Sequence, residues 1–159
     1  MKREARKEYE ALESQCRELQ AEVERMRAEK TAYRAMFESP DVLVSAYDRG
    51  GVCLVMNEAA AALFGGKPED FIGKQVHTLH GAAGEAYLRR AQDVIETGEV
   101  ARFDEHVAFP QGERWLLTAV FPLSDAAGNR YAAQVVAQDI TSRIEAEEAL
   151  RRSEEKYRL

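Results

Sequence analysis

Across the first 37 residues the apolar side chains recur at alternating spacings of four and three, a repeat that only a helix satisfies. The series runs Ala5, Tyr9, Leu12, Cys16, Leu19, Val23 and Met26, then Tyr33 and Phe37, with Lys30 in the one polar place. No Pro or Gly occurs before Pro40, and the filling residues are mainly Ala, Glu, Arg and Leu, which favour helix. In heptad terms Tyr9, Cys16, Val23, Lys30 and Phe37 take position a, while Leu12, Leu19, Met26 and Tyr33 take d. A stripe this narrow suits a seam between two helices better than the broader face of a helix packed on its own domain. Across a parallel seam Glu22 and Glu29 at g face Arg27 and Arg34 at e, and Glu8 facing Glu13 is the one unfavourable pair. In an antiparallel pair Glu8, Gln15, Glu22 and Glu29 would confront one another. Residues 1–38 are therefore expected to form a parallel coiled-coil homodimer. Lys30 lowers its stability while fixing register and strand number. Cys16 reads as a small apolar residue in a reducing compartment, prone to interchain oxidation in vitro.

After Phe37-Glu38-Ser39-Pro40 the pattern changes. Residues 42–47 read as a strand, Asp48-Arg49-Gly50-Gly51 as a hairpin turn, and 52–56 as the returning strand. Asn57 suits the N-cap of a short Ala-rich helix, 58–64, stopped by Gly65-Gly66. Further helical turns are expected at 68–73 and 76–79. A longer helix over about 82–97 gathers Tyr87, Leu88, Ala91, Val94 and Ile95 on one face and ends at Gly98. Three strands follow, at 100–109, 115–123 and 131–138, with Pro110-Gln111-Gly112 and Asp125-Ala126-Ala127-Gly128-Asn129 as their turns. Sequential hairpins imply an antiparallel sheet with helices collected on one face, an α+β domain over 39–141.

The last strand runs into Asp139-Ile140-Thr141-Ser142-Arg143, and beyond it the chain is mostly Glu, Ala, Arg, Lys and Leu. Ser142 with Glu145 fits a capping box, which predicts an outgoing helix over 144–159 and a linker unit over 142–159. A folded core whose last strand feeds a charged helix is suited to pass something along that helix.

Charge and composition remove several function classes. A net charge of -6 and a pI near 5.2 offer no basic footprint for phosphates, so nucleic acid is not an expected partner. No apolar run of about 18 residues exists, so no membrane span is expected. Met1-Lys2-Arg3-Glu4-Ala5-Arg6 lacks the apolar stretch of a secretory signal, and the expected location is the cytoplasm. Cys16 and Cys53 stand in unlike contexts and suggest no disulfide framework. No nucleophile–base or metal constellation is legible, so no enzyme is expected.

Several short motifs occur in a telling order. They are the Asp48-Arg49-Gly50-Gly51 hairpin, the stretch 57–65 of N-x-x-A-x-x-L-F-G form, Glu69-Asp70-Phe71-Ile72-Gly73-Lys74, the 112–115 turn, the P-L-S-D-A-A-G of 122–128, and Asp139-Ile140-Thr141. Together, residues 42–143 resemble a PAS sensor domain. The resemblance implies a five-stranded antiparallel sheet with helices cupped against one face, sometimes enclosing a ligand. It also implies a bacterial signalling protein, of the two-component or a similar type, with a kinase, cyclase or second PAS unit downstream. The closing Glu154-Glu155-Lys156-Tyr157-Arg158-Leu159 echoes the lead-in at 29–37, as expected for a piece of a longer protein. By resemblance Asp139 and Thr141, flanking Ile140, anchor the outgoing helix to the core, with Arg143 as the nearest basic partner; plain helix capping would use the same residues. A pocket, if enclosed, is expected to be lined by Tyr87, Leu88 and Ala91 of the long helix and by Phe103, Trp115, Leu117 and Ala119 of the strands.

No cofactor is expected. His77 and His80 at i,i+3 lack the further ligands a zinc site needs. Haem-binding family members place a proximal His shortly before a Tyr-Leu-like pair; here Gly84 precedes Tyr87-Leu88, and His80 lies one turn earlier. Flavin photosensors carry Asn-Cys-Arg-Phe-Leu-Gln where this chain has Gln75-Val76-His77-Thr78-Leu79, and Cys53 is on a strand. Haem and non-covalent flavin stay open as minor alternatives. Trp115 reads as a packing residue. Asp104 and Glu105 alternate on one strand, and a solvated edge is expected; a buried carboxylate there would need a partner, with His106 and Arg102 nearest in sequence. Ala46, Ala119, Ala133 and Ala137 leave room either for a cavity or for close helix packing. Two functions follow: a ligand-responsive sensor acting on flanking coiled coils, or a ligand-free relay that dimerises and couples its neighbours.

Overall fold

The four-three repeat is carried by one continuous helix, α1 (Lys2–Phe37). The structure, a computed structural model, describes residues 2–158, without the side chains of Lys2, Ala5 and Ala82; the expected helix end at Leu159 and the seam place of Ala5 lie outside the described residues. The chain divides between Phe37 and Glu38 into two compact units. Along α1, Tyr9, Leu12, Leu19, Met26 and Tyr33 are all more than half exposed in the single chain, and Cys16 and Lys30 are exposed as well. Its i,i+3 and i,i+4 ion pairs, Arg6–Glu10 at 3.1 Å and Arg25–Glu22 at 3.8 Å among them, support an isolated helix by tenths of a kcal/mol each.

The second unit runs β1 (Val42–Asp48), β2 (Cys53–Met56), α2 (Glu58–Leu63), α3 (Pro68–Phe71), α4 (Val76–His80), α5 (Gly84–Thr97), β3 (Ala101–Phe109), β4 (Gly112–Ser124), β5 (Arg130–Asp139) and α6 (Thr141–Tyr157). The five strands form one antiparallel sheet in the order β2-β1-β5-β4-β3, with α2 against β1, α3 against β2, and α5 across β4 and β5. One buried cluster unites Tyr47, Cys53, Met56, Ala60, Phe71 and Val76, and a second unites Ala91, Val94, Ile95, Val120 and Ala133.

A few polar contacts fix this arrangement. Asn57 is fully buried: its Oδ1 accepts from Val44 N and Ala60 N, each at 3.0 Å, and its Nδ2 donates to Val42 O at 2.7 Å. One side chain thus caps α2 and pins it to β1. Edge strand β2 is covered by 73–76, where Cys53 N donates to Lys74 O at 2.9 Å and Val76 N to Gly51 O at 2.8 Å. At the end of α5, Gly98 takes φ 77, and Arg130 donates to the carbonyls of Ile95 and Glu96, each at 2.6 Å. Gly84 is a packing glycine, since a Cβ there would run into the backbone of His77.

The outgoing helix departs from the expected start. It begins at Thr141, and the Ser142–Glu145 capping box is not formed. The Asp139 carboxylate accepts Thr141 N at 2.9 Å and Ile144 N donates to Ile140 O at 3.0 Å, so the turn is closed before Ser142 can cap it.

Candidate functional site

Between α4, α5 and the inner face of the sheet lies a cavity of about 70 Å³. Leu88, Ala91, Val120 and Val135 supply aliphatic wall, and Phe64, Phe103 and Phe109 supply rings. The inward phase of β3 is Phe103, Glu105, Val107 and Phe109, which alternates with exposed Arg102, Asp104, His106 and Ala108. Glu105 is therefore drawn into an apolar face rather than onto a solvated edge. Its partners are neither His106 nor Arg102. One carboxylate oxygen accepts from Tyr87 Oη at 2.8 Å, the other from Thr118 Oγ1 at 2.9 Å, and Arg90 stands 3.8 Å away. The Arg90 guanidinium also lies 3.7 Å over the ring centre of Phe103.

Burial dominates the titration of the wall. It pushes Tyr47 up to about 12, against a lowering contact from Ser45, and Cys53 up to about 11. Tyr87 is raised by burial and further by its bond to Glu105, so it remains the donor. Burial lowers His80 to about 4, so the imidazole is uncharged at neutral pH. His80 is held between Phe64, edge-on at 5.2 Å, and Tyr87 at 4.3 Å. His77 is exposed, so the two histidines do not share a metal-facing surface, and no group of three ligating side chains exists among the described residues. A haem or flavin does not fit: Gly84 has no room for a side chain, and about 70 Å³ is far below the roughly 300–1,000 Å³ of larger ligand pockets.

Of the residues expected to line a pocket, Tyr87, Leu88, Ala91 and Phe103 do so, while Trp115, Leu117 and Ala119 do not. The inward phase of β4 is Leu116, Thr118 and Val120; Trp115 and Leu117 project from the other face, 39% and 46% exposed. Glu105 pairs with Leu116, and that pairing sets the parity of β4. Both phases of the strand are apolar, so its own sequence does not choose between them. Trp115 packs instead on His106, ring centres 4.7 Å apart.

A second polar cluster joins β4 to α6. Asp139 pairs with Arg114 at 3.2 Å, Trp115 N donates to Thr141 Oγ1 at 2.9 Å, and Ile140 N donates to Trp115 O at 2.8 Å. Arg143 is not the partner of Asp139; it reaches one turn along α6 to Glu147 at 2.8 Å. A residue at the second position past Thr141 points away along the helix, whereas antiparallel pairing brings Arg114 beside Asp139. Arg114 and Arg90 were thus missed as functional candidates. The alternation of Phe103, Glu105, Val107 and Phe109 was the available signal for the inward carboxylate.

A five-stranded antiparallel sheet with helices on one face and a cavity between them defines an α+β domain. A family model described as PAS fold matches residues 36–145, and the chain belongs to the PAS family. The Vibrio cholerae VqmA dimer, studied in the absence of its target DNA, is similar at 23% identity and TM-score 0.63, over 69% of this chain and 52% of VqmA. VqmA bound to DPO is similar at 22% identity and TM-score 0.63, over 70% of this chain and 57% of VqmA. The PAS domain of Bordetella pertussis BvgS is similar at 21% identity and TM-score 0.57, over 80% of this chain and 98% of that domain. The chain spans about half the length of the VqmA chains it matches. No curated protein matches the sequence. No described helix is long and apolar enough to cross a membrane.

Proposed function

We propose that this chain is a non-catalytic, cytoplasmic sensor and dimerisation module of a bacterial signalling protein, passing the state of its cavity through α6 to a downstream kinase, cyclase or second PAS unit. One observation carries this reading: β4 serves both clusters. Thr118 and Leu116 face the cavity, and Arg114 and Trp115, at the start of the same strand, hold Asp139 and Thr141. A ligand that shifts β4 therefore acts directly on the root of α6. The VqmA structures with DPO and with a ligand support a ligand for this fold; the target DNA of VqmA is not carried over, given a net charge of -6 here. The exposed stripe from Tyr9 to Phe37 supports a parallel coiled-coil homodimer through Leu12, Cys16, Leu19, Val23, Met26, Lys30 and Tyr33.

The small cavity favours a second reading, a ligand-free relay that only dimerises and couples neighbouring domains. Native mass spectrometry of the purified chain separates the two: a co-purified small molecule supports the sensor, and a bare dimer that no compound stabilises supports the relay. Light scattering on the full chain against a shortened chain starting at Ser39 tests the seam. The full chain is expected to be dimeric and the shortened one to lose most of that association. A monomeric full chain at micromolar concentration would sink the coiled-coil reading.

A further inference from the structure

Two charged groups line the cavity, Arg90 and Glu105, and they form a loose ion pair with no hydrogen bond between them. Their separation of 3.8 Å exceeds hydrogen-bond length. Glu105 accepts one hydroxyl on each oxygen, from Tyr87 and Thr118, and a carboxylate has about four acceptor sites. Acceptor capacity is therefore left over. The Arg90 guanidinium makes no hydrogen bond among the described residues; it is stacked over Phe103, and a stacked guanidinium keeps its N–H edge free. Arg90, 37% exposed, and the less exposed Glu105 thus bring spare donors and spare acceptors to the wall of one cavity, beside Phe64, Phe103, Phe109 and Leu88.

The charge balance narrows what fits. His80 is uncharged at neutral pH and the two tyrosines keep their protons, which leaves one positive and one negative group on the wall. A charged guest would lose its hydration without gaining a free counter-charge, whereas a neutral guest leaves the pair balanced.

Resting on the sensor reading above, we propose that the cavity selects a compact, uncharged molecule with an apolar body and one polar end that sets a hydrogen-bond donor beside an acceptor. The donor goes to Glu105 and the acceptor to Arg90, so the guest closes the gap between them. Small amides, lactams and N–H heterocycles belong to this class; carboxylic acids and amines do not. Removing one wall charge at a time should then reverse the preference. Glu105→Gln keeps an acceptor for one of the two hydroxyls and offers an N–H to the oxygen of the other, leaves Arg90 unbalanced and should favour an anion. Arg90→Met keeps an apolar stem over Phe103, leaves Glu105 unbalanced and should favour a cation. A purely structural role for either residue would weaken all guests alike.

Isobutyramide, isobutyrate and isobutyramidinium share one branched body and differ in the charge of the polar end. We would titrate each into the ¹⁵N-labelled full chain at neutral pH and follow the amides of Ala91, Phe103 and Thr118. Isobutyramide should bind about tenfold more tightly than either ion, a difference of about 1.4 kcal/mol. Isobutyrate should lead in Glu105→Gln and isobutyramidinium in Arg90→Met. An ion that leads in the unsubstituted chain, or a ranking unchanged in the folded variants, overturns this inference while leaving the sensor reading in place. If none of the three probes moves the cavity amides, this inference falls, and the sensor reading is decided by native mass spectrometry. Circular dichroism checks folding; should Glu105→Gln fail to fold, Arg90→Met decides, since the Arg90 side chain is 37% exposed.

Discussion

Glu105 and Asp139 are both carboxylates set against an arginine and a threonine, and both act on β4, yet their surroundings differ. The Glu105 side chain is 17% exposed and takes two hydroxyl donors, from α5 and from β4. The Asp139 side chain is 35% exposed, meets Arg114 at 3.2 Å and accepts a backbone N–H only two residues away. The first cluster joins α5, β3 and β4 inside an apolar cavity, where an unpaired polar group is costly. The second joins a strand to a helix at the surface, where water replaces a lost partner and an ion pair contributes roughly 0–1 kcal/mol. The inner cluster is therefore the more costly one to disrupt, and the outer one contributes little to the stability of the fold.

The largest effect should come from Glu105→Ala. It strands the Tyr87 and Thr118 hydroxyls in an apolar wall and leaves Arg90 without a counter-charge. We expect a loss of about 3 kcal/mol in urea unfolding, the partly exposed arginine keeping it at the low end for a broken buried pair. Asp139→Ala in the same assay should cost about 1 kcal/mol. Equal losses at the two sites would erase the contrast.

Acid should act on the cavity end as well. His80 is held near 4 in the fold against 6.5 as an ordinary side chain, so between these values the unfolded chain binds a proton that the folded chain refuses. Stability is then full above pH 6.5 and falls as pH drops toward 4, by about 2–3 kcal/mol. His80→Phe should remove that part of the slope. Urea midpoints across this window, with and without the substitution, check it; parallel curves would mean His80 is open to solvent.

A matched pair of substitutions sharpens the contrast further. Thr118→Val removes a donor from a buried carboxylate and should cost about 1–2 kcal/mol, whereas Thr141→Val frees the Trp115 N–H to water and should cost about 0.5 kcal/mol. The two variants differ only in position, and reversal of their order in thermal unfolding would place the tighter constraint at the junction instead.

What the sequence revealed follows the same divide between local and distant contacts. The α1 repeat, the Asn57 cap and the Gly98 stop are set by residues close along the chain and are legible from spacing, whereas Asp139 and Thr141 stand out only through the family resemblance. Arg114 lies on a different strand from Asp139 and becomes its partner only through the β4–β5 register. The inner cluster draws on Tyr87, Arg90, Glu105 and Thr118, which come from three elements. Its one local trace is a glutamate in the apolar phase of β3. Trp115 and Leu117 were misplaced because β4 is apolar on both faces, and a shift of one residue moves every side chain to the other side.

A small change in stability at the α6 junction should carry the largest consequence for signalling. If Asp139 and Thr141 only cap α6, replacing either by Ala lowers stability by roughly 0.5–2 kcal/mol and leaves the output of a fused kinase unchanged. If they couple the core to the helix, the same loss is spent on the link itself, and a coupling of about 1–3 kcal/mol shifts a two-state ratio roughly 5- to 150-fold. Arg114→Met offers an independent route to the same link, because it removes the ion pair and leaves the Asp139–Thr141 turn intact. Coupling also predicts where the molecule loosens: amides of 144–157 should exchange faster in Asp139→Ala, while those of β5 stay protected by pairing with both β1 and β4. We would measure hydrogen exchange and kinase output side by side in the unsubstituted chain, Asp139→Ala and Arg114→Met. Faster exchange in α6 with an altered output in both variants is the expected result. Unchanged protection with unchanged output would leave the Asp139 cluster a helix cap and nothing more, and the path from cavity to α6 would then have to run elsewhere than through β4.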